Sequence, residues 1–121
     1  MYQLKVIGDF AAAHSLRNFK GRCEALHGHN WRVEVVVQGD RLNEAGLVMD
    51  FAELKKLMNQ VLDRLDHHHL NETPPFDRIN PSSELIAKFL FENIGAQLPP
   101  EVEMVSVSAW ESKGSCALYM R

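Results

Sequence analysis

The sequence predicts an α+β fold in which an antiparallel sheet carries two helices on one face. Two runs of alternating apolar residues come first, two segments with helical spacing follow, and two more alternating runs end the sequence. This ββααββ order, with strands grouped at both ends and helices between them, is typical of antiparallel α+β domains. The 121 residues suit one domain, and no linker or repeat divides residues 1–121.

The first two strands are predicted from their apolar patterns. Residues 2–13 are rich in Leu, Val, Ile and Phe and contain no proline. Residues 29–38 alternate apolar with polar side chains, the apolar ones being Trp31, Val33, Val35 and Val37. A polar, basic loop over residues 14–26 joins the two runs, so we expect an antiparallel pair.

The two helices are predicted from their caps and their spacing. Asp50 is a good N-cap, and Glu53 three residues later completes a variant of the capping box. Apolar residues then recur at helical spacing, which predicts the first helix over residues 51–65. Ser82 is expected to cap the second helix and Gly95 to end it.

Two C-terminal strands complete the predicted sheet. Residues 105–110 alternate apolar and polar side chains, and residues 115–121 follow a turn at Lys113-Gly114. The predicted sheet therefore has four strands and two exposed edges. Exposed edges favour pairing with other copies of a chain, so we expect a homo-oligomer.

Composition and charge exclude several classes of function. The net charge is −3, which gives no general attraction to nucleic acid or to an anionic membrane. No apolar run approaches the roughly 20 residues of a membrane-spanning helix, and no secretory signal peptide is recognisable. We therefore expect a cytoplasmic protein with a small-molecule substrate and with neither nucleic acid nor membrane as a partner.

The histidines near the start of the second strand predict a metal site. His27 and His29 are two residues apart, so in a strand both side chains project from the same face. His14 ends the first predicted strand and is able to reach the same point from a neighbouring strand. Three neutral imidazoles with an open fourth position are the ligand set of a catalytic zinc ion.

Six sequence blocks, in order along the chain, carry a resemblance to a known family. They are Phe10-Ala11-Ala12-Ala13-His14, Cys23-x-x-x-His27-Gly28-His29, Val48-Met49-Asp50-Phe51, Leu65-Asp66-His67, Asn80-Pro81-Ser82-Ser83-Glu84 and Trp110-Glu111-Ser112. With these blocks the chain resembles the 6-pyruvoyl-tetrahydropterin synthase family, and within it the bacterial 6-carboxy-5,6,7,8-tetrahydropterin synthases of queuosine biosynthesis. The resemblance implies the T-fold (tunnelling fold), in which three subunits join their sheets into a barrel and two trimers stack into a homohexamer.

The resemblance also implies three sets of site residues. The zinc ligands would be His14, His27 and His29. The catalytic, proton-transferring residues would be Cys23, Asp66 and His67. The substrate-binding residues would be Glu84, Glu111 and Ser112. Among these, Glu111 suits the pterin ring, because a carboxylate accepts two hydrogen bonds from its 2-amino and N3 groups.

The implied activity is that of a lyase. It converts 7,8-dihydroneopterin triphosphate to 6-carboxy-5,6,7,8-tetrahydropterin, with loss of triphosphate and acetaldehyde. The three-residue gap between Cys23 and His27 resembles the carboxy-forming subgroup, whereas pyruvoyl-forming enzymes have a longer gap. Glu24 leaves an alternative open, because a related folate-pathway subgroup carries a glutamate there and releases 6-hydroxymethyl-dihydropterin. The remaining alternatives are 6-pyruvoyl-tetrahydropterin formation and a non-catalytic pterin-binding zinc protein.

Overall fold

A computed structural model describes residues 1–21 and 24–121 of the chain. Within that part, five strands form one sheet and two α-helices lie between them in sequence. The strands are β1 (Tyr2–His14), β2 (His27–Gly39), β3 (His68–His69), β4 (Glu103–Ser112) and β5 (Ser115–Met120). The helices are α1 (Phe51–Leu62) and α2 (Ser83–Gly95). The predicted α+β class and the placement of both helices between the two strand pairs are confirmed.

The strand order across the sheet is β3-β1-β2-β4-β5. The pairings β1–β2, β2–β4 and β4–β5 are antiparallel, as expected. The prediction of four strands was wrong by one, because β3 adds two residues in parallel beside Ala12 and Ala13 of β1. A strand of two residues is too short to show an alternating pattern, so the sequence held no signal for it.

Both predicted N-caps are present. The side chain of Asp50 accepts a hydrogen bond from the Ala52 backbone N–H at 2.8 Å, and Ser82 accepts one from Leu85 N–H at 3.2 Å. The predicted end of the second helix is confirmed, because α2 ends at Gly95, whereas α1 stops at Leu62 rather than at residue 65. No helix among the described residues is both long and apolar enough to traverse a lipid bilayer.

The apolar spacing predicted too long a helix because the chain continues to pack against the core after α1 ends. Leu65 is fully buried although it lies outside the helix. Its backbone N–H bonds to Leu62 O at 2.9 Å, a contact of three residues instead of the four of an α-helix. The tightened turn delivers Asp66 and His67 to the edge of the sheet.

The core lies between the helices and one face of the sheet. Helix α1 packs over β1, and α2 packs over β4 and β5. The buried side chains between the two layers include Phe10, Trp31 and Val33 of the sheet and Leu54, Met58 and Leu90 of the helices. At Gly8 an added Cβ would lie 2.6 Å from Met58 Cε, so the side chain of Met58 fills the space beside this glycine. The opposite face is not covered by the helices and exposes Ile7, Leu118 and Met120.

Candidate functional site

The three predicted ligand histidines converge at the end of the β1–β2 pair. His14 lies directly opposite His27 in the antiparallel register, and His29 follows on the same face of β2. The ring centroids are 4.7 Å apart for His14 and His27, 5.2 Å for His14 and His29, and 4.8 Å for His27 and His29. The sequence pattern therefore correctly predicted that these rings share one site.

Backbone carbonyls fix the ring tautomers of two of these histidines. His14 Nδ1 lies 2.7 Å from Pro81 O, and His27 Nδ1 lies 2.8 Å from Ala25 O. A carbonyl oxygen only accepts, so each Nδ1 carries the hydrogen and each Nε2 keeps a lone pair. This hydrogen-bonding arrangement is the usual support of a metal-binding histidine.

Two imidazole nitrogen atoms of the cluster are buried without a hydrogen bond. They are His14 Nε2 and His29 Nε2, neither of which has a hydrogen-bond partner among the described residues. Burial lowers the pKa of His14, although the hydrogen bond to Pro81 O opposes this, and the nearby His27 lowers the pKa further. A neutral imidazole with a free lone pair in a buried position is suited to coordinate a metal ion.

Glu111 is the fourth potential donor of this cluster. One ligand atom from each of His14, His27, His29 and Glu111 lies within 4.8 Å of the other three. Glu111 Oε1 is 3.0 Å from His29 Nε2, while the Ser83 hydroxyl donates to Glu111 Oε2 at 3.1 Å. Three imidazole nitrogens and a carboxylate oxygen form a donor set that a divalent metal ion accepts. The cluster is able to hold a metal.

A β-bulge places Glu111. Trp110 pairs with Cys116 and Ser112 with Ser115, so β4 has one more residue than β5 over this interval. The extra residue is Glu111, and such bulges re-aim single side chains beside functional sites. The motif had identified Glu111, but nothing in the residue pattern indicated the bulge.

The three residues predicted to bind substrate share a pocket. Its volume is about 310 Å³, and its lining includes Glu84, Glu111 and Ser112. Ser83 and Cys116 also line this pocket, although the sequence had not predicted a substrate contact at either residue. Ser83 was detectable in principle, since it stands beside the capping Ser82 in a motif block, whereas Cys116 reaches the pocket only through the β4–β5 hairpin.

Asp66 and His67 form a rigid corner on β1. Asp66 Oδ1 accepts from Ala11 N–H at 2.8 Å, and His67 N–H donates to Ala11 O at 2.6 Å. His67 has a φ of 58°, in the left-handed region that histidine adopts more often than most residues. Asp66 Oδ2 lies 2.9 Å from His67 Nδ1. Hydrogen bonds from Ala11 N–H and from His67 hold the pKa of the Asp66 carboxyl below its usual range.

This corner lies apart from the histidine cluster within one copy of the chain. Asp66 and His67 bond to Ala11 on the β3 side of β1, and neither of them belongs to the group of ligand atoms formed by His14, His27, His29 and Glu111. The His67 side chain is 82% exposed. The structure therefore brings together the predicted metal ligands and the predicted substrate contacts, but not the Asp66–His67 pair.

Cys23, the third predicted catalytic residue, lies outside the described residues. Its neighbour Glu24 is described. The Glu24 carboxylate accepts from Leu16 N–H at 3.2 Å and lies 3.7 Å from His27 Nε2. Glu24 is thus at the rim of the histidine cluster.

Comparison with known proteins agrees with the fold and with the motif blocks. A family model described as 6-pyruvoyl tetrahydropterin synthase matches residues 3–121. A dihydroneopterin monophosphate aldolase of Pyrococcus furiosus is 40% identical over 103 residues, which are 85% of this chain and 83% of the relative. A 6-carboxy-5,6,7,8-tetrahydropterin synthase of Synechocystis is 38% identical over 104 residues, 82% of this chain and 79% of the relative.

A solved structure agrees with the same assignment. The 6-pyruvoyl tetrahydropterin synthase of Caenorhabditis elegans superposes with a TM-score of 0.85 at 26% identity. The superposition covers 99% of this chain and 95% of the relative. The predicted T-fold is thereby confirmed.

Proposed function

Since this chain belongs to the 6-pyruvoyl tetrahydropterin synthase family, an enzyme family, we propose that it is a zinc-dependent 6-carboxy-5,6,7,8-tetrahydropterin synthase. In this proposal it acts in the cytoplasm, in queuosine biosynthesis, and converts 7,8-dihydroneopterin triphosphate to 6-carboxytetrahydropterin, acetaldehyde and triphosphate. The observation that carries the proposal is the convergence of three histidines with two buried Nε2 atoms that have no hydrogen-bond partner among the described residues. The 38% identical carboxy-forming relative supports the choice of product.

In the proposed metal centre, His14, His27 and His29 hold zinc through their Nε2 atoms. The carbonyls of Pro81 and Ala25 keep two of these rings in the required tautomer. Bound zinc would act as a Lewis acid on the hydroxyl groups of the substrate side chain and lower their pKa. The cluster is lined by Trp31, whose ring meets those of His14 and His29 edge-on and limits the access of water from the core side.

The proposed proton-transfer residues are Cys23, Asp66 and His67. Asp66 accepts from His67 Nδ1–H, which leaves His67 Nε2 as the atom that takes or gives a proton. Both rigid hydrogen bonds to Ala11 hold this pair in place without help from the substrate. Cys23 would serve as the second base or as a nucleophile.

The proposed substrate pocket lies beside the metal cluster. Its volume of about 310 Å³ is at the small end of the range for ligand sites and suits a bicyclic ring. Glu111 would accept from the 2-amino and N3 groups of the pterin, and Glu84 and Ser112 would line the ring.

Assembly would complete the site. Within one copy the Asp66–His67 pair is exposed at a sheet edge and lies apart from the histidine cluster. We propose a homohexamer, a dimer of trimers, in which His67 of one copy faces the metal cluster of another. Co-expressed His27→Ala and His67→Ala proteins, each inactive alone, should then regain part of the turnover; a mixture that stays inactive would contradict the shared site.

Product identification tests the proposed reaction directly. Purified zinc-loaded protein is incubated with 7,8-dihydroneopterin triphosphate, and the pterin products are separated and identified by mass. The proposal expects 6-carboxytetrahydropterin and acetaldehyde, and it expects Cys23→Ala to abolish them while zinc content stays at the wild-type level. Release of 6-hydroxymethyl-dihydropterin alone would overturn it.

A second candidate function is favoured by Glu24. Its carboxylate lies 3.7 Å from His27 Nε2, and the 40% identical relative is named as an aldolase acting on dihydroneopterin monophosphate. In this alternative Glu24 is the base for retro-aldol cleavage of the substrate side chain, which releases 6-hydroxymethyl-dihydropterin and the phosphorylated two-carbon remainder as an aldehyde. If both reactions occur, Glu24→Gln should remove the hydroxymethyl product and Cys23→Ala the carboxy product.

A further inference from the structure

We propose that Glu111 is a displaceable fourth donor of the metal centre. In the pterin-free protein its carboxylate closes the three-histidine site, and binding of a pterin ring draws the carboxylate away and opens that position. This inference rests on the proposed function, because it assumes that the histidines bind a metal and that the pocket binds a pterin.

The first argument is the contact between Glu111 and His29. Glu111 Oε1 lies 3.0 Å from His29 Nε2, yet the two atoms are not aligned as a hydrogen bond and Nε2 has no such partner among the described residues. Two donors bound to one zinc ion at 2.0–2.1 Å stand about 3.3 Å apart in tetrahedral geometry. The separation therefore fits two ligands that share an ion.

The second argument is that the same carboxylate lines the pocket. Glu111 borders the 310 Å³ pocket together with Ser112 and Cys116. A bidentate grip on the 2-amino and N3 groups of a pterin uses both carboxylate oxygens. One of those oxygens faces His29 and the other accepts from Ser83 Oγ in the closed arrangement. The two engagements are mutually exclusive.

The third argument is that Glu111 has room to change position. It is the extra residue of the β4–β5 bulge, so no residue of β5 stands directly opposite it. Its side chain is 37% exposed, on the side of the open pocket. A rotation of the side chain is enough to move the carboxylate from the histidines towards the pocket, while the backbone of β4 stays paired.

Mutually exclusive engagements produce a measurable antagonism. A pterin ring that captures Glu111 removes a donor from the metal, so it must weaken metal binding, and by reciprocity the metal must weaken binding of the ring. The hydroxylated side chain of a full substrate offsets this loss because it supplies new oxygen donors. A pterin without a side chain supplies no such donors, so its binding shows only the weakening of metal binding.

The test uses the full-length protein loaded with Co²⁺, whose visible absorption reports coordination number and geometry. Unsubstituted pterin is the probe, since it has no side-chain hydroxyls. We expect pterin to change the Co²⁺ spectrum and to raise the Co²⁺ dissociation constant about 5- to 150-fold, the usual range of coupling between two sites. An unchanged spectrum and dissociation constant at saturating pterin would overturn the proposal.

Two variants make the test specific. Glu111→Gln keeps the shape of the side chain but is a poor ligand, so it should weaken Co²⁺ binding at least about tenfold and alter the spectrum before any pterin is added. Glu103→Gln is the matched control, because Glu103 is an exposed carboxylate at the far end of the same strand. A Glu111→Gln spectrum identical to that of the wild type would contradict the proposed coordination.

The same experiment separates this inference from the proposed function. If His27→Ala leaves the affinity for Co²⁺ unchanged, the histidine site itself is wrong and both proposals fail. A different result would refute only the displacement of Glu111. In that case Co²⁺ binds through the histidines and dihydroneopterin triphosphate is turned over, but addition of pterin leaves the Co²⁺ spectrum unchanged.

Discussion

At the scale of single residues, the site depends on which imidazole nitrogen carries a hydrogen. Main-chain carbonyls of Pro81 and Ala25 make that choice for His14 and His27. Because these acceptors belong to the backbone, no side-chain substitution removes them directly. The ligand set is therefore most sensitive to the histidines themselves, and neighbouring substitutions act on it through the backbone.

Replacing His27 should remove the metal without unfolding the protein. His27→Ala deletes one of three imidazole donors from a partly exposed position, so we expect the zinc dissociation constant to rise more than the roughly 10- to 100-fold that loss of a supporting residue costs. Chelator competition measures this. His68→Ala is the control, since His68 is exposed and outside the cluster; equal zinc loss in both variants would contradict the assignment.

The lowered pKa of His14 predicts the pH dependence of stability in the metal-free protein. In the unfolded chain the pKa of His14 has its ordinary value of 6.5. As the pH falls through 6.5, the unfolded state therefore binds a proton that the folded state does not, and this proton stabilises the unfolded state. The free energy of unfolding should therefore fall as the pH drops from 7.5 through 6.5 towards the folded pKa, by up to about 1.4 kcal/mol per pH unit for this group. Urea denaturation in EDTA at a series of pH values measures the slope.

The carboxylates with lowered pKa values do not interfere in this pH window. Asp66 and Glu34 both have folded values below their ordinary ones of 3.8 and 4.5, so their contributions are lost only at more acidic pH. Stability that stays level or rises between pH 7.5 and pH 6 would show that His14 is not the buried neutral group described above.

At the scale of elements, the packing of α1 on β1 positions the Asp66–His67 pair. At Gly8 the side chains of α1 fill the space beside β1, with Met58 Cε and Leu62 Cδ1 at 2.6 and 3.0 Å from a Cβ placed there. The same helix ends in the turn that carries Asp66 and His67 to Ala11. A displaced α1 would therefore move Asp66 and His67 as well as disturb the core.

Gly8→Val should destabilise the fold by about 1–3 kcal/mol, because overpacking forces the side chains of α1 to shift. Chemical denaturation followed by circular dichroism measures this change. Gly114→Ala is the control, since a Cβ at Gly114 meets nothing within 4 Å among the described atoms, and it should change stability by less than about 0.5 kcal/mol. Equal stability of the two variants would refute the tight packing beside Gly8.

Sequence patterns predicted the long elements and the histidine cluster because each has a local cause. Strand alternation places His27 and His29 on one face, and the caps at Asp50 and Ser82 are single-residue signals. β3, the bulge at Glu111 and the left-handed φ of His67 have no such local cause. β3 and the turn at His67 depend on contacts with β1, more than 50 residues away in sequence. The bulge depends on the pairing register of the β4–β5 hairpin, which the alternation of side chains does not encode.

At the scale of the whole molecule, the sheet has two edges that its own strands do not use. On one side, β3 covers β1 at Ala12 and Ala13, and the rest of that side of β1 pairs with no other strand among residues 1–21 and 24–121. On the other side, β5 pairs with β4 alone. Apolar residues Leu118 and Met120 are exposed on β5. Such edges favour addition of strands from further copies.

Charges placed on β5 should therefore dissociate the proposed hexamer. The double substitution Leu118→Lys and Met120→Lys introduces repulsion and a desolvation cost at the edge, and we expect smaller species in sedimentation velocity experiments with the circular dichroism of the subunit retained. Leu42→Lys is the control, because Leu42 is an exposed loop residue away from both edges. If the double variant sediments like the wild type, assembly does not use this strand.

The bulge in β4 constrains how relatives of this chain diverge in length. Successive side chains of a strand project to opposite sides, so removing one residue between Ala109 and Glu111 would turn the carboxylate away from the histidines. Removing or inserting two would keep its direction. Viable insertions and deletions within β4 before Glu111 should accordingly come in even numbers, a parity rule that deletion libraries screened for retained metal can examine.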